Sequence, residues 1–371
     1  MVTTNYKLFT PLTIGKDFVI KNRVVLSPLT RGRADQKTRS PNDLNVLYYE
    51  QRSGAGLLIT EATAISEQGY GWLGTPALYT QDHADAWKKV VDAVHAKGSK
   101  IVLQLSHMGR QAHTSFNAKG EIVAPSAIAI KEGHTVNAAG EAVSHQVPRA
   151  LETHEIPLIV EDFRKSAALA KAVGFDGVEV HAANGGLADT FLQSVTNKRT
   201  DKYGGSIVNR ANFVLEIVEA LKTVWPSDRI GVRLSPNGAH GEVGSQDNYE
   251  TYTYVLQQLS KHDLGYVALL DGVGFGYHNK CRVVTAFDAK KHFKGNVIAN
   301  SSYTRDTAEG AIGSGSVDAV CFGRLHISNP DLAERFQNDW PLAPEAPHEH
   351  YWYGEKGAEG YVTYEAYSPQ L

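Results

Sequence analysis

Apolar positions along the chain gather into short, nearly unbroken runs, and between the runs they recur with the period of a helix. Eight runs read as strands: 23–29 (RVVLSPL), 56–62 (GLLITEA), 100–106 (KIVLQLS), 176–182 (DGVEVHA), 229–235 (RIGVRLS), 265–271 (GYVALLD), 296–302 (NVIANSS) and 318–324 (DAVCFGR). Runs without polar alternation are what strands buried on both faces of a parallel sheet require. Val160, Phe163, Ala167 and Ala170 recur at spacings of three and four, and Phe213, Ile217 and Leu221 repeat that stripe within 208–225. Eight strands alternating with helices predict an α/β fold, a single (β/α)8 TIM barrel spanning 1–371. The stretch from about 107 to 155 fits no barrel unit and reads as an insertion over the C-terminal mouth. A doubly wound open sheet is the alternative, but it needs a glycine-rich first turn that GKDFVIKNRVV does not supply.

Composition narrows the class. Of 371 residues, 42% are apolar and 21% charged, which is globular rather than disordered. A net charge of −3 argues against a nucleic-acid partner, which needs a strong positive field. Cys281 and Cys321 are too few for a disulfide framework or a four-thiolate zinc site. The opening residues lack the apolar core of a secretion signal and no run is long enough for a membrane span, so a cytoplasmic protein without a membrane partner is expected.

In a barrel of this kind chemistry collects where the strands end. Those ends carry Thr30, Ala62, Gln104, His181 with Asn184, Arg233, Asn300 with Ser301, and Gly323 with Arg324. Any one could be a capping residue; strand after strand ending on a polar group points to a common mouth. Amides near Ser301 and Gly323, with the Arg324 guanidinium, suit a phosphate after strands seven and eight. The alternative for Arg324 is an ion pair with an acid on the following helix. No HExxH, GxSxG or complete GxGxxG is present, so a metal or nucleophile site is not expected, and a nicotinamide would bind without a domain of its own.

In order along the chain, NRVVLSPLTRGRA, YYEQRSGAGLLITEAT, LQLSHMGR, GFDGVEVHAANG, TNKRTDKYGGSIVNRANF, DRIGVRLSP, AVCFGRLHISNPDLAERF and YGEKGAEGY resemble segments of the old yellow enzyme family. The resemblance covers nearly the whole length and implies an FMN-dependent ene-reductase, reduced by NADPH or NADH and acting on a small molecule as a monomer or homodimer. It places Pro28, Leu29, Thr30, Ala62, Gln104, Arg233, Ser301, Gly323 and Arg324 around the flavin. It makes His181 and Asn184 the pair that binds the substrate oxygen, with Trp72 and Tyr353 lining the pocket.

Two positions depart from the family. Gly186 stands where a tyrosine usually protonates the α-carbon, and Ser106 stands where an aromatic is common. The expected activity is reduction of activated C=C bonds in α,β-unsaturated carbonyls, or of quinones and nitro compounds. The missing tyrosine leaves open a flavin-dependent isomerase or other specialised secondary-metabolic enzyme, or a ligand-binding flavoprotein with little turnover.

Overall fold

The computed structural model describes residues 5–272, 276–352 and 354–368. Each of the eight apolar runs forms a strand: β1 (Val24–Leu26), β2 (Leu57–Ile59), β3 (Lys100–Ser106), β4 (Gly177–Ala182), β5 (Ile230–Leu234), β6 (Tyr266–Leu270), β7 (Asn296–Asn300) and β8 (Ala319–Phe322). All neighbours are parallel, and β8 pairs back onto β1 through Cys321 and Val25, which closes the barrel. Helices α1 (Asp43–Gln51), α2 (Gln81–Ala96) and α3 (Ile156–Val173) follow β1, β2 and β3; α4 (Leu187–Leu192) and α5 (Ile207–Lys222) both follow β4; α6 (Asn248–Leu259), α7 (Ala286–His292) and α8 (Arg305–Gly313) follow β5, β6 and β7; and α9 (Arg324–Ser328) and α10 (Leu332–Gln337) follow β8. The striped residues Phe163, Ala167 and Ala170 of α3 and Phe213, Ile217 and Leu221 of α5 are buried, as their spacing requires.

Two apolar layers result. One lies between strands and helices; the other fills the barrel with Val25, Leu57, Ile59, Val102, Ala268, Ile298 and Ala319. A hairpin of Leu12–Gly15 and Phe18–Ile20, turning through Asp17 at φ 61°, adds Leu12, Ile14, Phe18 and Ile20 to that inner layer. It precedes β1 and stops the N-terminal end, so only the opposite mouth is open to a ligand.

Segment 107–155 leaves β3 at the mouth. It forms short pairings, Val123–Ala124 with Arg149–Ala150 and Thr135–Val136 with Ala142–Val143. Arg110 fastens it to the loop after β5 by donating to the carbonyl of Gly241 at 2.5 Å. The C-terminal segment is held at the same end. Arg31 donates to the carbonyls of Tyr351, His350 and Gly360, and the Tyr48 and Tyr361 rings stack with centroids 4.4 Å apart. Among the described residues no helix is long and apolar enough to cross a membrane.

Candidate active site

His181 is the last residue but one of β4, in register with Arg233 on β5. It is half-buried, and its Nδ1 lies 3.4 Å from the Ser106 hydroxyl at the end of β3. Loss of water around the ring, then the Arg233 guanidinium and His240, pull its pKa from 6.5 to about 3. The imidazole is therefore neutral at any working pH.

Asn184, three residues on, sits at φ 53°, a left-handed conformation that asparagine tolerates better than most residues. Both of its backbone groups are tied down. The N–H donates to Ser235 Oγ at 2.7 Å, and the carbonyl accepts from Gln111 Nε2 at 2.6 Å. Neither Ser235 nor Gln111 was singled out in the sequence. Ser235 follows β5 and Gln111 ends a short 3-10 turn after β3, and only closure of the barrel brings them to Asn184.

Beneath them lies a buried polar pair. Gln104 Nε2 donates to Glu179 Oε1 at 2.7 Å, and Glu179 is fully buried. Burial raises the Glu179 carboxyl, with Arg233 acting against the shift. Arg233 itself donates through Nη2 to Asn300 Oδ1 at 2.5 Å, while its buried Nη1 has no hydrogen-bond partner among the described residues. A carboxylate within the apolar run DGVEVHA was a readable signal for Glu179; its partner was not.

The remaining expected residues fall around the same mouth. Pro28, Leu29, Thr30 and Ala62 are half-buried where β1 and β2 end, and the Arg31 N–H beside Thr30 donates to Glu61 Oε2 at 3.0 Å. Ser301, at φ 104°, directly follows β7, and a Cβ placed on Gly323 would lie 3.1 Å from Leu29 Cδ2. Arg324 is exposed and its Nη1 lies 3.6 Å from Glu345, an acid of the C-terminal segment rather than of the following helix. Trp72 is half-buried, its carbonyl accepting from the Thr75 hydroxyl at 2.7 Å. Tyr353 lies outside the described residues. Gly186 opens α4 at φ −62° and ψ 169°, with Nδ1 of His181 3.3 Å from where a Cβ would be.

The model of the NADH:flavin oxidoreductase / NADH oxidase family matches residues 7–343. The chain belongs to that family. Its relatives include 12-oxophytodienoate reductase 2 of Arabidopsis thaliana, 38% identical over 339 residues, with 90% of this chain and 89% of the relative covered. Among solved structures, morphinone reductase in complex with tetrahydroNAD superposes with a TM-score of 0.90 at 39% identity, covering 98% of this chain and 99% of that one. The old yellow enzyme homologue from Zymomonas mobilis gives 0.92 at 35%, covering 97% and 100%. The chain is thus an old yellow enzyme by sequence and by fold. Like the family it is an FMN-dependent NAD(P)H oxidoreductase that reduces activated C=C bonds.

Proposed function

We propose that the mouth described above binds FMN with its pyrimidine edge at Gln104 and Arg233 and its phosphate near Ser301, Gly323 and Arg324. The buried Arg233 Nη1, without a partner among the described residues, carries this reading, because a guanidinium N–H orphaned beneath the barrel mouth demands an acceptor. Thr30, with the backbone of Pro28, Leu29 and Ala62, completes the cradle.

When bound, reduced FMN supplies the hydride, which goes to the β-carbon of an enone. Negative charge then develops on the carbonyl oxygen, where His181 and Asn184 are placed to donate hydrogen bonds. A neutral imidazole can fill this role through its single N–H. Trp72 would line the pocket around the substrate. The α-carbon proton has no tyrosine at position 186 to come from, so water or a neighbouring group supplies it.

This favours substrates whose charge ends on an oxygen that water protonates readily: quinones, nitro compounds and strongly activated enones. The test is single-turnover oxidation of the NADPH- or NADH-reduced enzyme by a panel of enones, quinones and nitro compounds. Oxidation fastest with quinones and nitro compounds is expected; a reduced enzyme that none of the panel oxidises would overturn the reading. Gly186 also favours a second reading, isomerisation, which product mass separates: reduction adds two hydrogens and isomerisation adds none.

A further inference from the structure

The Nδ1 edge of His181 is bordered by two small residues, Ser106 and Gly186. The Ser106 hydroxyl lies 3.4 Å from Nδ1, and the vacant Cβ position of Gly186 lies 3.3 Å from the same atom. Ser106 is 2% exposed, and its backbone is fixed on both sides. It closes β3, pairs with Ala64, and accepts from the Ile65 N–H at 3.2 Å. Among the described residues the hydroxyl has one side-chain partner, the imidazole, and Nε2 of His181 has none.

A neutral imidazole carries one N–H, and the group facing its other nitrogen decides where. Burial, Arg233 and His240 keep this ring neutral, so the choice is real at any working pH. With the proton on Nε2, Nδ1 is an acceptor and needs a donor, and the Ser106 O–H can be that donor. With the proton on Nδ1, an unprotonated Nε2 would face the substrate oxygen and repel the charge that develops there. The Ser106 hydroxyl can meet either state of Nδ1, as donor or as acceptor, so the substrate oxygen is what calls for the proton on Nε2, and Ser106 is then the donor beside an unprotonated Nδ1.

We infer that Ser106 is a positioning residue of the reaction: its hydroxyl donates to Nδ1 and holds His181 as the Nε2–H tautomer that hydrogen-bonds the substrate oxygen. The inference rests on His181 holding that oxygen, as proposed above, and concerns only how the imidazole is set.

Three variants of the FMN-loaded enzyme test it: Ser106→Ala, Ser106→Thr and Ser106→Val, the last matching the threonine variant in shape without its hydroxyl. Removing the hydroxyl leaves a buried acceptor without a donor, a loss of about tenfold in the affinity for a para-substituted phenol and in the rate at which an enone oxidises the reduced enzyme. Ser106→Thr should stay within about twofold of the parent, since it keeps the hydroxyl. Nitrogen NMR of histidine-labelled holoenzyme, assigned with His181→Gln, should show Nε2–H in the parent and Ser106→Thr and a mixture in Ser106→Ala and Ser106→Val. A merely structural serine would not move that signal. A parent that carries Nδ1–H overturns the inference. So do Ala and Val variants that keep the parental tautomer and phenol affinity. If the parent binds no phenol over its flavin, the role given to His181 fails instead, and the nitrogen signal still decides the part played by Ser106.

Discussion

Gln104 and Glu179 face each other across the β3–β4 pair as register partners, joined by a 2.7 Å hydrogen bond from the Gln104 carboxamide nitrogen. The bond settles which way round the carboxamide lies. With Nε2 committed to Glu179, the oxygen is what Gln104 can turn toward a ligand, as an acceptor for an N–H group. Arg233 presents only donors. Together they offer one acceptor and several donors, the complement of an imide edge that carries one N–H between carbonyls. Buried Glu179, which touches no ligand in this scheme, is what makes the pattern definite.

Glu179→Met removes the acceptor at similar volume and frees the Gln104 carboxamide. The FMN dissociation constant should rise about tenfold, in line with a lost buried hydrogen bond to an ionisable group. Titration of apoprotein followed by flavin fluorescence measures it. Parental affinity in a folded variant would show that the orientation of Gln104 is set elsewhere.

FMN should be bound without a covalent link, one per chain, and acid precipitation should release all of it into the supernatant. Arg324→Ala should weaken binding further than removal of an ordinary surface arginine, because a bidentate partner of phosphate is lost. Since Arg324 is exposed beside Glu345, the fold itself should not suffer, and the melting temperature of the apoprotein is expected to be unchanged. Flavin retained with parental affinity would remove Arg324 from the phosphate site.

Replacing His181 and Asn184 together by alanine should abolish the long-wavelength charge-transfer band that a phenolate gives over oxidised flavin, while FMN remains bound. Loss of one donor is expected to cost about 2–4 kcal/mol of transition-state stabilisation, by analogy with oxyanion donors. Residues that only closed a loop would lower stability and leave the band intact. Enone reduction at the parental rate in the double variant would end the assignment.

The pKa of His181 gives a signed expectation. Its ordinary value of 6.5 falls to about 3 in the folded protein, so the ring does not titrate between pH 5 and pH 8. The pH profile of the oxidative half-reaction should show no limb near 6.5 that disappears in His181→Gln. The unfolded chain does protonate this ring near 6.5, so His181 contributes stability above that pH that is lost as pH falls through 6.5 toward 3. His107 and His326, both buried and lowered to about 3, act in the same direction. Proton uptake on unfolding at pH 5 should therefore fall in His107→Gln. No change there would mean that His107 titrates normally in the folded state.

The barrel was legible because parallel strands are buried on both faces, and this leaves short continuous apolar runs that alternate, eight times over, with longer stretches of helical period. The hairpin before β1 escaped the reading. Its alternation covers only Leu12–Gly15 and Phe18–Ile20, too short to stand out, and its role depends on a barrel floor that forms far along the chain. The same division applies to the site. His181, Gln104 and Arg233 announce themselves as polar ends of apolar strands. Ser235 and Gln111, which fix Asn184, are ordinary polar residues until tertiary structure brings them together. Arg324 meets Glu345, and that partner belongs to a C-terminal segment whose position the local pattern does not encode.

Gly186 separates two accounts of the pocket. Its φ of −62° and ψ of 169° suit any residue, so the position does not need glycine for its backbone. A side chain there would begin 3.3 Å from His181 Nδ1, a tight contact that asks for a shift of a few tenths of an ångström, and 3.5 Å from the carbonyls of Ala183 and His107, which is ordinary van der Waals contact. Gly186→Tyr is therefore compatible with the fold. If the missing acid limits turnover, tyrosine should speed the reduction of simple cyclic enones. General-acid help to a carbon centre is typically worth about 10²–10⁴-fold, though crowding at Nδ1 will take part of that. Quinones and nitro compounds, whose charge ends on oxygen, should gain little, and reduction of the flavin by nicotinamide should be nearly unchanged. If glycine instead makes room for a bulky substrate, tyrosine should block binding and slow every large acceptor. Stopped-flow oxidation of the reduced enzyme, with a small enone and a bulky one in parent and variant, separates the two. A parent already as fast on simple enones as on quinones, with no gain from tyrosine, would mean that another group beside His181 delivers the proton.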